Sequence, residues 1–142
     1  MDIGDRACVT AKKILQKYKV KKLIINDIVE DELKKSYRKL KMKNTELFIG
    51  DATKTKFENN SIDRIIVQFV LNELIGDLKQ AFIEWKRILK KDGIIIVSEH
   101  FLNPKLKQDK AFLECFGNFH EKNISLKAVS YTHLTLPTIL LV

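Results

Sequence analysis

The chain has 142 residues, of which 45% are hydrophobic and 31% charged, a balance that suits one globular domain and excludes a wholly disordered chain. Its apolar runs are far shorter than the roughly 20 residues of a membrane-spanning helix, so the sequence predicts no membrane span. It has only two cysteines, too few for a disulfide framework, and its first residues do not follow the signal-peptide pattern. We therefore expect a cytoplasmic protein.

The formal net charge of +8 comes from one part of the chain. Residues 12–43 contain 12 lysines and arginines against 4 acidic residues, and the remainder is balanced. Lysine dominates this stretch, whereas bidentate phosphate recognition favours arginine. We interpret the lysines as the solvated faces of two helices and expect no nucleic-acid partner. The alternative is a surface for RNA or another anionic partner.

Hydrophobic periodicity in the first third of the chain alternates between strand and helix. A short first strand at residues 1–3 is followed by a helix over 9–18 and an apolar strand over 22–27. A second helix is predicted over 30–42, with acidic residues in its first turn that suit the positive helix start. The next strand, over 46–51, again ends on an acidic residue.

The alternation continues beyond a polar connection at 54–61. We predict a buried strand over 62–71, a helix over 77–91 that stops at Asp92-Gly93, a strand over 93–100 and a helix over 107–116. Strands separated by helices of this size indicate an α/β fold, with a doubly wound, Rossmann-like, mostly parallel sheet and helices on both faces.

Both ends of the chain depart from this pattern. The first strand lacks the apolar residues that should precede it, so we expect residues 1–128 to be part of a larger domain with an incomplete first strand. Residues 129–142 contain no acidic residue, lysine or arginine. We predict that this tail is either foreign to the domain or its last, antiparallel strand.

Polar residues stand where four predicted strands end. Ligands of open α/β sheets bind outside the carboxyl ends of the strands. Asp2, Asp27 and Asp51 end three successive strands, and Gln68 stands near the end of the fourth. Because a carboxylate can accept two hydroxyl donors at once, this arrangement favours nucleoside binding. The alternative for each aspartate is that it merely caps the helix that follows.

The order of these segments carries a family resemblance. DIG, LIINDI, FIGDAT, FENNSIDRIIVQFVLNEL and RILKKDGIIIVSE follow one another in the chain. In this order they resemble the class I S-adenosylmethionine-dependent methyltransferases, and within them the menaquinone and ubiquinone C-methyltransferases. The similarity covers residues 1–128. In RILKKDG, Lys91 and Asp92 replace the proline and glycine that are usual in the family.

The resemblance implies S-adenosylmethionine as cofactor, methyl transfer to a small-molecule acceptor, and a set of cofactor-binding residues. Asp2 and Gly4 would belong to the loop that receives the methionine part. Asp27 would bind the ribose hydroxyls and Ile28 would pack on the adenine. The remaining positions are Asp51 for the adenine amino group, Ala52 beside it, and Gln68 next to the methionine part. The similarity assigns no catalytic residue.

The cofactor loop departs from the family pattern D-x-G-x-G-x-G. After Gly4 the sequence reads Asp5-Arg6-Ala7-Cys8. Glycine permits positive φ and close approach of the backbone to a ligand, which Arg6 does not readily provide, and Asp5 would face the cofactor's carboxylate. Two alternatives to an active enzyme follow: a catalytically impaired methyltransferase-like fragment, or a module that binds an anionic partner such as RNA.

Other chemistry-bearing residues give weaker signals. The spacing of the histidines and cysteines fits no metal site, and none is predicted. We expect Cys8 to be a small packing residue rather than a reactive thiol, and Trp85 to be core rather than a stacking platform. The weak candidates for facing the methyl acceptor are Asn72, Glu99 and His100.

Overall fold

The computed structural model describes residues 1–40, 43–71, 73–74, 78–98 and 139–141. Strands and helices alternate through most of this range, as the hydrophobic periodicity predicts. In chain order they are β1 Asp2–Ile3, α1 Val9–Lys17, β2 Leu23–Asp27, α2 Glu30–Leu40, β3 Thr45–Ile49, β4 Ile62–Gln68, α3 Leu78–Ile88, β5 Leu89–Ser98 and β6 Ile139–Leu141.

The strands form one sheet in the order β3-β2-β1-β4-β5-β6, and every neighbouring pair is parallel. The order reverses at β1, because the chain first adds β2 and β3 on one side and then β4 and β5 on the other. This is the doubly wound, Rossmann-like arrangement that the sequence predicts. The reversal point at the carboxyl ends of β1 and β4 is where such sheets bind ligands.

Two hydrophobic cores lie on opposite faces of the sheet. In β2, Ile25 packs with Ala11 of α1 and Leu33 of α2, whereas its neighbour Ile24 belongs to the core that contains Trp85 of α3. Successive side chains of a strand point to opposite faces. Helices α1 and α2 therefore cover one face, and α3 covers the other.

The boundary between α3 and β5 differs from the prediction. The helix ends at Ile88 and β5 begins at Leu89, so residues 89–91 are strand and Asp92-Gly93 is not a helix stop. Leu89 pairs with Ile62, and the register then shifts before Ile94 pairs with Arg64. Gly93 lies inside this irregularity, where a Cβ atom would come within 2.4 Å of Leu89 Cγ. Glycine at this position therefore lets the backbone of β5 lie against the Leu89 side chain, where a larger residue would clash.

Two other strands also differ from their predicted form. β4 ends at Gln68, so Phe69 and Leu71 lie beyond it. The expectation that a last strand would be antiparallel is wrong, because β6 pairs with β5 in parallel. The predicted helix over 107–116 and the acceptor candidates Asn72, Glu99 and His100 lie outside the described residues. Among the helices that are described, none is long and apolar enough to cross a membrane.

Candidate functional site

A pocket opens at the carboxyl ends of β1 to β4. Its walls come from the loop after β1, the ends of β2 and β3, and the segment after β4. Five of the seven predicted cofactor-binding residues line it: Gly4, Asp27, Ile28, Asp51 and Ala52. The other lining residues are Ile3, Arg6, Asn26, Gly50, Phe69, Val70, Glu73 and Leu74.

Asp27 ends β2 at the pocket, with only 6% of its side chain exposed. Its Oδ1 accepts a hydrogen bond of 2.8 Å from the backbone N–H of Val29, which fixes the carboxylate at the start of α2. Helix-capping and ligand-binding roles are compatible here, because a carboxylate has more acceptor positions than one amide uses. Ile28, beside it, exposes 51% of its surface and adds an apolar wall.

The end of β3 is tied to β2 by Asn26. This side chain is 1% exposed, and its Nδ2 donates to the carbonyl oxygens of Phe48 and Gly50, each at 2.9 Å. Asp51 follows directly, and its Oδ1 accepts the backbone N–H of Thr53 at 2.8 Å. Asn26 thus places Asp27 and Asp51 at neighbouring strand ends. A buried polar residue in an otherwise apolar strand is the signal in the sequence that identifies it.

Gly4 allows the chain to turn directly after β1. Its φ is +81°, and a Cβ atom there would lie 2.8 Å from Val70 Cγ2. Its N–H donates to the carbonyl oxygen of Asn26 at 2.9 Å, which fixes the loop against β2. Glycine is therefore required both by the backbone conformation and by the close approach of the segment after β4.

In the rest of the loop, Asp5 and Arg6 do not take the positions that the sequence predicts. Asp5 turns its carboxylate to the start of α1, where Oδ1 accepts from the N–H of Val9 at 2.9 Å and Oδ2 from that of Ala11 at 2.8 Å. The left-handed backbone conformation falls on Cys8, with φ +55°, and not on Arg6. Asp5 therefore serves as a helix cap, and the expectation that it would face the cofactor's carboxylate is wrong.

Cys8 is fully buried in the core beneath α1. Burial raises the pKa of its thiol to about 11, and the nearby negative charges of Asp5, Asp2 and Asp27 act in the same direction. A thiol that stays protonated is a poor nucleophile. The structure thus agrees with the expectation that Cys8 is a packing residue.

Asp2 is also fully buried, in the centre of the sheet. Neither carboxyl oxygen has a hydrogen-bond partner among the described residues. Burial, followed by the negative charge of Asp5, raises the pKa of Asp2 to about 8. Asp2 therefore carries its proton near neutral pH. It lies behind the residues that line the pocket.

Gln68 also lies outside the pocket lining. Its Oε1 accepts a hydrogen bond of 2.8 Å from Thr10 Oγ1, which connects the end of β4 to α1. The lining after β4 comes instead from Phe69, Val70, Glu73 and Leu74. Phe69 has φ +51° and is 53% exposed. Nothing in the sequence marks a phenylalanine for this conformation.

Arg6 brings a positive charge into the pocket. Its Nε lies 3.7 Å from Asp27 Oδ1, and its Nη1 lies 3.4 Å from Glu32 Oε2 on α2. Asp27, Asp51 and Glu73 leave the lining acidic overall despite this guanidinium. In the parts of the chain that the structure covers, no cluster of histidine, cysteine or acidic residues could hold a metal ion.

The fold defines a Rossmann-like domain with a pocket at the carboxyl ends of its strands. A profile of the methyltransferase-domain family matches residues 1–97. The chain belongs to this family, and its cofactor is S-adenosylmethionine. No curated protein matches the chain.

Solved structures share the fold. The YcgJ protein of Bacillus subtilis superposes with a TM-score of 0.77 at 22% identity, over 92% of this chain and 57% of its own. Geranyl diphosphate methyltransferase in complex with S-adenosylmethionine gives a TM-score of 0.75 at 17% identity, over 92% of this chain and 54% of its own. At these identities the likeness concerns the fold, and this chain spans little more than half the length of either protein.

Proposed function

We propose that this chain binds S-adenosylmethionine in the strand-end pocket and supports methyl transfer to a small organic acceptor. The observation that carries the proposal is the position of Asp27. It is a nearly buried carboxylate at the end of β2, and it faces a pocket next to a second acid, Asp51, at the neighbouring strand end. Paired hydroxyls of a ribose are the donors that such a carboxylate accepts well.

The remaining lining residues fit the other parts of the cofactor. Ile28, Ala52 and Leu74 provide apolar surface for an adenine ring, and Asp51 provides an acceptor for its amino group. The turn at Gly4 brings the backbone to the pocket without a side chain, which suits the methionine part. Asp2 and Gln68 would support this loop and the end of β4 from behind the lining.

Arg6 and Cys8 are the positions that depart from the family pattern. Cys8 keeps the left-handed turn of a glycine and points into the core, so it leaves the pocket unchanged. Arg6 adds a side chain to the lining and pairs with Asp27. The nucleoside half of the cofactor thus fits the residues present, with Arg6 as a competitor at the ribose position.

The reaction itself asks little covalent chemistry of the protein. The bound cofactor supplies a methyl group already activated by its positive sulfonium, and the protein contributes orientation and exclusion of water. The acidic lining, with Asp27, Asp51 and Glu73 against Arg6, favours a ligand that carries positive charge. The exposed ring of Phe69 stands at the same pocket and offers a flat apolar contact for an acceptor.

The test is calorimetric titration of the whole chain with S-adenosylmethionine and S-adenosylhomocysteine. Asp27→Asn keeps the size of the side chain but removes its charge, and we expect binding to weaken by about 10- to 100-fold. Asp92→Asn is the matched control, because Asp92 is exposed in β5 and does not line the pocket. Equal binding by wild type and Asp27→Asn would refute the proposed site.

The acceptor is a separate part of the proposal. The resemblance to quinone C-methyltransferases, together with the apolar contact at Phe69, supports a small organic acceptor, and the two-cysteine composition supports a cytoplasmic setting. Release of S-adenosylhomocysteine can be followed with phenolic and quinol acceptors. Phe69→Ala should weaken acceptor use more than cofactor binding, and an equal loss of both would contradict the assignment of Phe69 to the acceptor.

We also propose that residues 1–128 form the methyltransferase-like domain and that 129–142 are a tail. The family match covers residues 1–97 of this proposed domain. The pairing of β6 with β5 provides the test, because removal of a strand that stabilises the sheet lowers the melting temperature. A chain ending at residue 128 that melts at the wild-type temperature would support the division, and a clear decrease would contradict it.

A second candidate function is binding of RNA or another polyanion. Lys12, Lys19 and Lys43 line one shallow hollow together with the exposed Tyr18, away from the strand-end pocket. Lysines beside an exposed aromatic ring suit a phosphate backbone with unstacked bases. RNA affinity that falls steeply with salt and survives Asp27→Asn would support this function. Absent or salt-insensitive binding would exclude it.

A further inference from the structure

Arg6 links two acidic residues across the edge of the pocket. Its guanidinium stands between Asp27 at the end of β2 and Glu32 in the first turn of α2, with Nε 3.7 Å from one carboxylate and Nη1 3.4 Å from the other. Asp27 is 6% exposed, whereas Arg6 and Glu32 are 43% and 60% exposed. The guanidinium therefore reaches from solvent to a carboxylate that a ligand can approach only through the pocket.

This contact places a positive charge beside the carboxylate that the proposed function assigns to the ribose. Asp27 Oδ1 already accepts the N–H of Val29, and Arg6 lies beside the same oxygen. An adjacent cation also lowers the negative potential of the whole carboxylate. A ribose must then either displace the guanidinium or hydrogen-bond to a carboxylate whose charge is already partly compensated.

We propose that Arg6 is an internal competitor for Asp27 and sets the affinity of the pocket for nucleosides. Glu32 acts as the alternative partner that draws Arg6 away from Asp27. The ligand class is an adenine nucleoside with both ribose hydroxyls free. This inference rests on the proposed function, since it concerns the same pocket, but it predicts a separate set of binding changes.

The competition is tested with adenosine, which has no charged group at neutral pH, in titrations followed by NMR. If the charge of Arg6 acts only through its long-range field, the affinity for this neutral probe stays almost unchanged when Arg6 is replaced. If Arg6 competes for Asp27, the affinity changes. Titration with S-adenosylhomocysteine provides a second, tighter-binding probe without the sulfonium charge.

Two single variants should shift adenosine affinity in opposite directions. Arg6→Gln should tighten binding by about 1.4- to fivefold, the range for loss of a partly exposed ion pair. Glu32→Gln should weaken binding, because Arg6 then has only Asp27 as a partner. The double variant should bind as Arg6→Gln does, since Glu32 acts only through Arg6. Arg38→Gln is the matched control, because Arg38 is exposed on α2 and does not line the pocket.

Salt supplies an independent signature. Raising the ionic strength from about 50 to 500 mM screens the exposed Arg6–Glu32 pair more than the contact of Arg6 with the nearly buried Asp27. Adenosine affinity of the wild-type chain should therefore fall toward that of Glu32→Gln, whereas Arg6→Gln should respond little. Melting curves of each variant establish that all of them are folded during the titrations.

The possible results separate this inference from the proposed function. Opposite shifts for Arg6→Gln and Glu32→Gln support both. If Asp27→Asn weakens adenosine binding but Arg6→Gln leaves it unchanged, the competition by Arg6 is overturned and the proposed function stands. Absence of adenosine and S-adenosylhomocysteine binding in all folded variants overturns both.

Discussion

The indole Nε1 of Trp85 donates a hydrogen bond of 3.0 Å to the backbone carbonyl oxygen of Ala52. Trp85 is fully buried on α3, and Ala52 is part of the pocket lining. The core on the α3 face of the sheet is thus joined directly to the segment that follows β3. Packing of α3 therefore positions one wall of the candidate cofactor site.

Trp85→Phe removes this hydrogen bond and keeps most of the buried ring. We expect a loss of about 1–3 kcal/mol in the free energy of unfolding, because the carbonyl of Ala52 is left without its indole donor. Chemical denaturation measures it. Ile83→Ala is the control on the same helix, since Ile83 is 55% exposed and its truncation should change stability little. Equal effects of the two variants would contradict a role for the hydrogen bond.

Gly4→Ala should disrupt the turn between β1 and α1. The new Cβ atom would lie 2.8 Å from Val70 Cγ2 at a φ of +81°, so both contact and backbone conformation are unfavourable. A decrease of about 1–3 kcal/mol in the free energy of unfolding is expected. Adding Val70→Ala should recover only part of it, because the smaller side chain relieves the contact but leaves the φ angle. Full recovery in the double variant would show that φ contributes nothing.

Asp2→Asn should change how stability depends on pH. Folded Asp2 holds its proton up to about pH 8, whereas an unfolded aspartate releases it near pH 4. Between these values the unfolded chain binds fewer protons, so the free energy of unfolding falls as pH rises, by up to about 1.4 kcal/mol per unit. The Asp2→Asn variant lacks this decrease in the free energy of unfolding. The difference in stability between the variant and wild type should therefore shift in favour of the variant from pH 4 to pH 8.

The comparison between wild type and Asp2→Asn matters because a second buried group titrates nearby. Burial lowers the pKa of the Met1 amino group to about 6, which gives an opposite slope between pH 6 and 8 in both proteins. Denaturation at several pH values, taken as a difference between the two, reports Asp2 together with its electrostatic coupling to the Met1 amino group. A difference that stays constant over the whole range would show that Asp2 is ionised in the folded chain.

Asn26→Ala should separate the two acidic residues of the pocket. The substitution leaves the carbonyl oxygens of Phe48 and Gly50 without the donor that holds β3 to β2. We expect a loss of roughly 2–4 kcal/mol in stability, about 1–2 per unsatisfied carbonyl, together with weaker nucleoside binding. Thr45→Ala, at the opposite end of β3, is the comparison, because it removes a hydrogen bond to the Tyr37 hydroxyl but leaves the Asn26 link intact. A normal cofactor affinity in folded Asn26→Ala would show that this link does not position the site.

The sequence predicts the order of elements and five of the 13 pocket-lining residues, because both depend on local patterns. Apolar strands and amphipathic helices are visible in the chain, and Asp27 and Asp51 are found by their place at strand ends. The boundary between α3 and β5 is not visible, because Leu89 is captured by long-range pairing with Ile62 and not by a local stop signal. Element ends are decided by such tertiary contacts.

The sequence also leaves the geometry of the cofactor loop undetermined. Its pattern suggests that Arg6 takes a position where positive φ is needed, yet that conformation falls on Cys8. The pattern likewise points Asp5 toward a ligand, yet two backbone amides of α1 bind its carboxylate. Which side chain faces the pocket depends on how the loop meets the helix, and this requires three-dimensional structure.

Among the strands that the structure describes, the two-residue β1 alone joins the two halves of the sheet. It pairs with β2 through Asp2 and Ile3, and through the same residues with β4. A disturbance at Asp2 or Ile3 would therefore uncouple β2 and β3 from β4 and β5. Helices α1 and α2 pack on one face of the sheet, and α3 packs on the other. In amide hydrogen exchange, the two halves should behave as separate cooperative units, with the candidate nucleoside pocket lying along the seam between them.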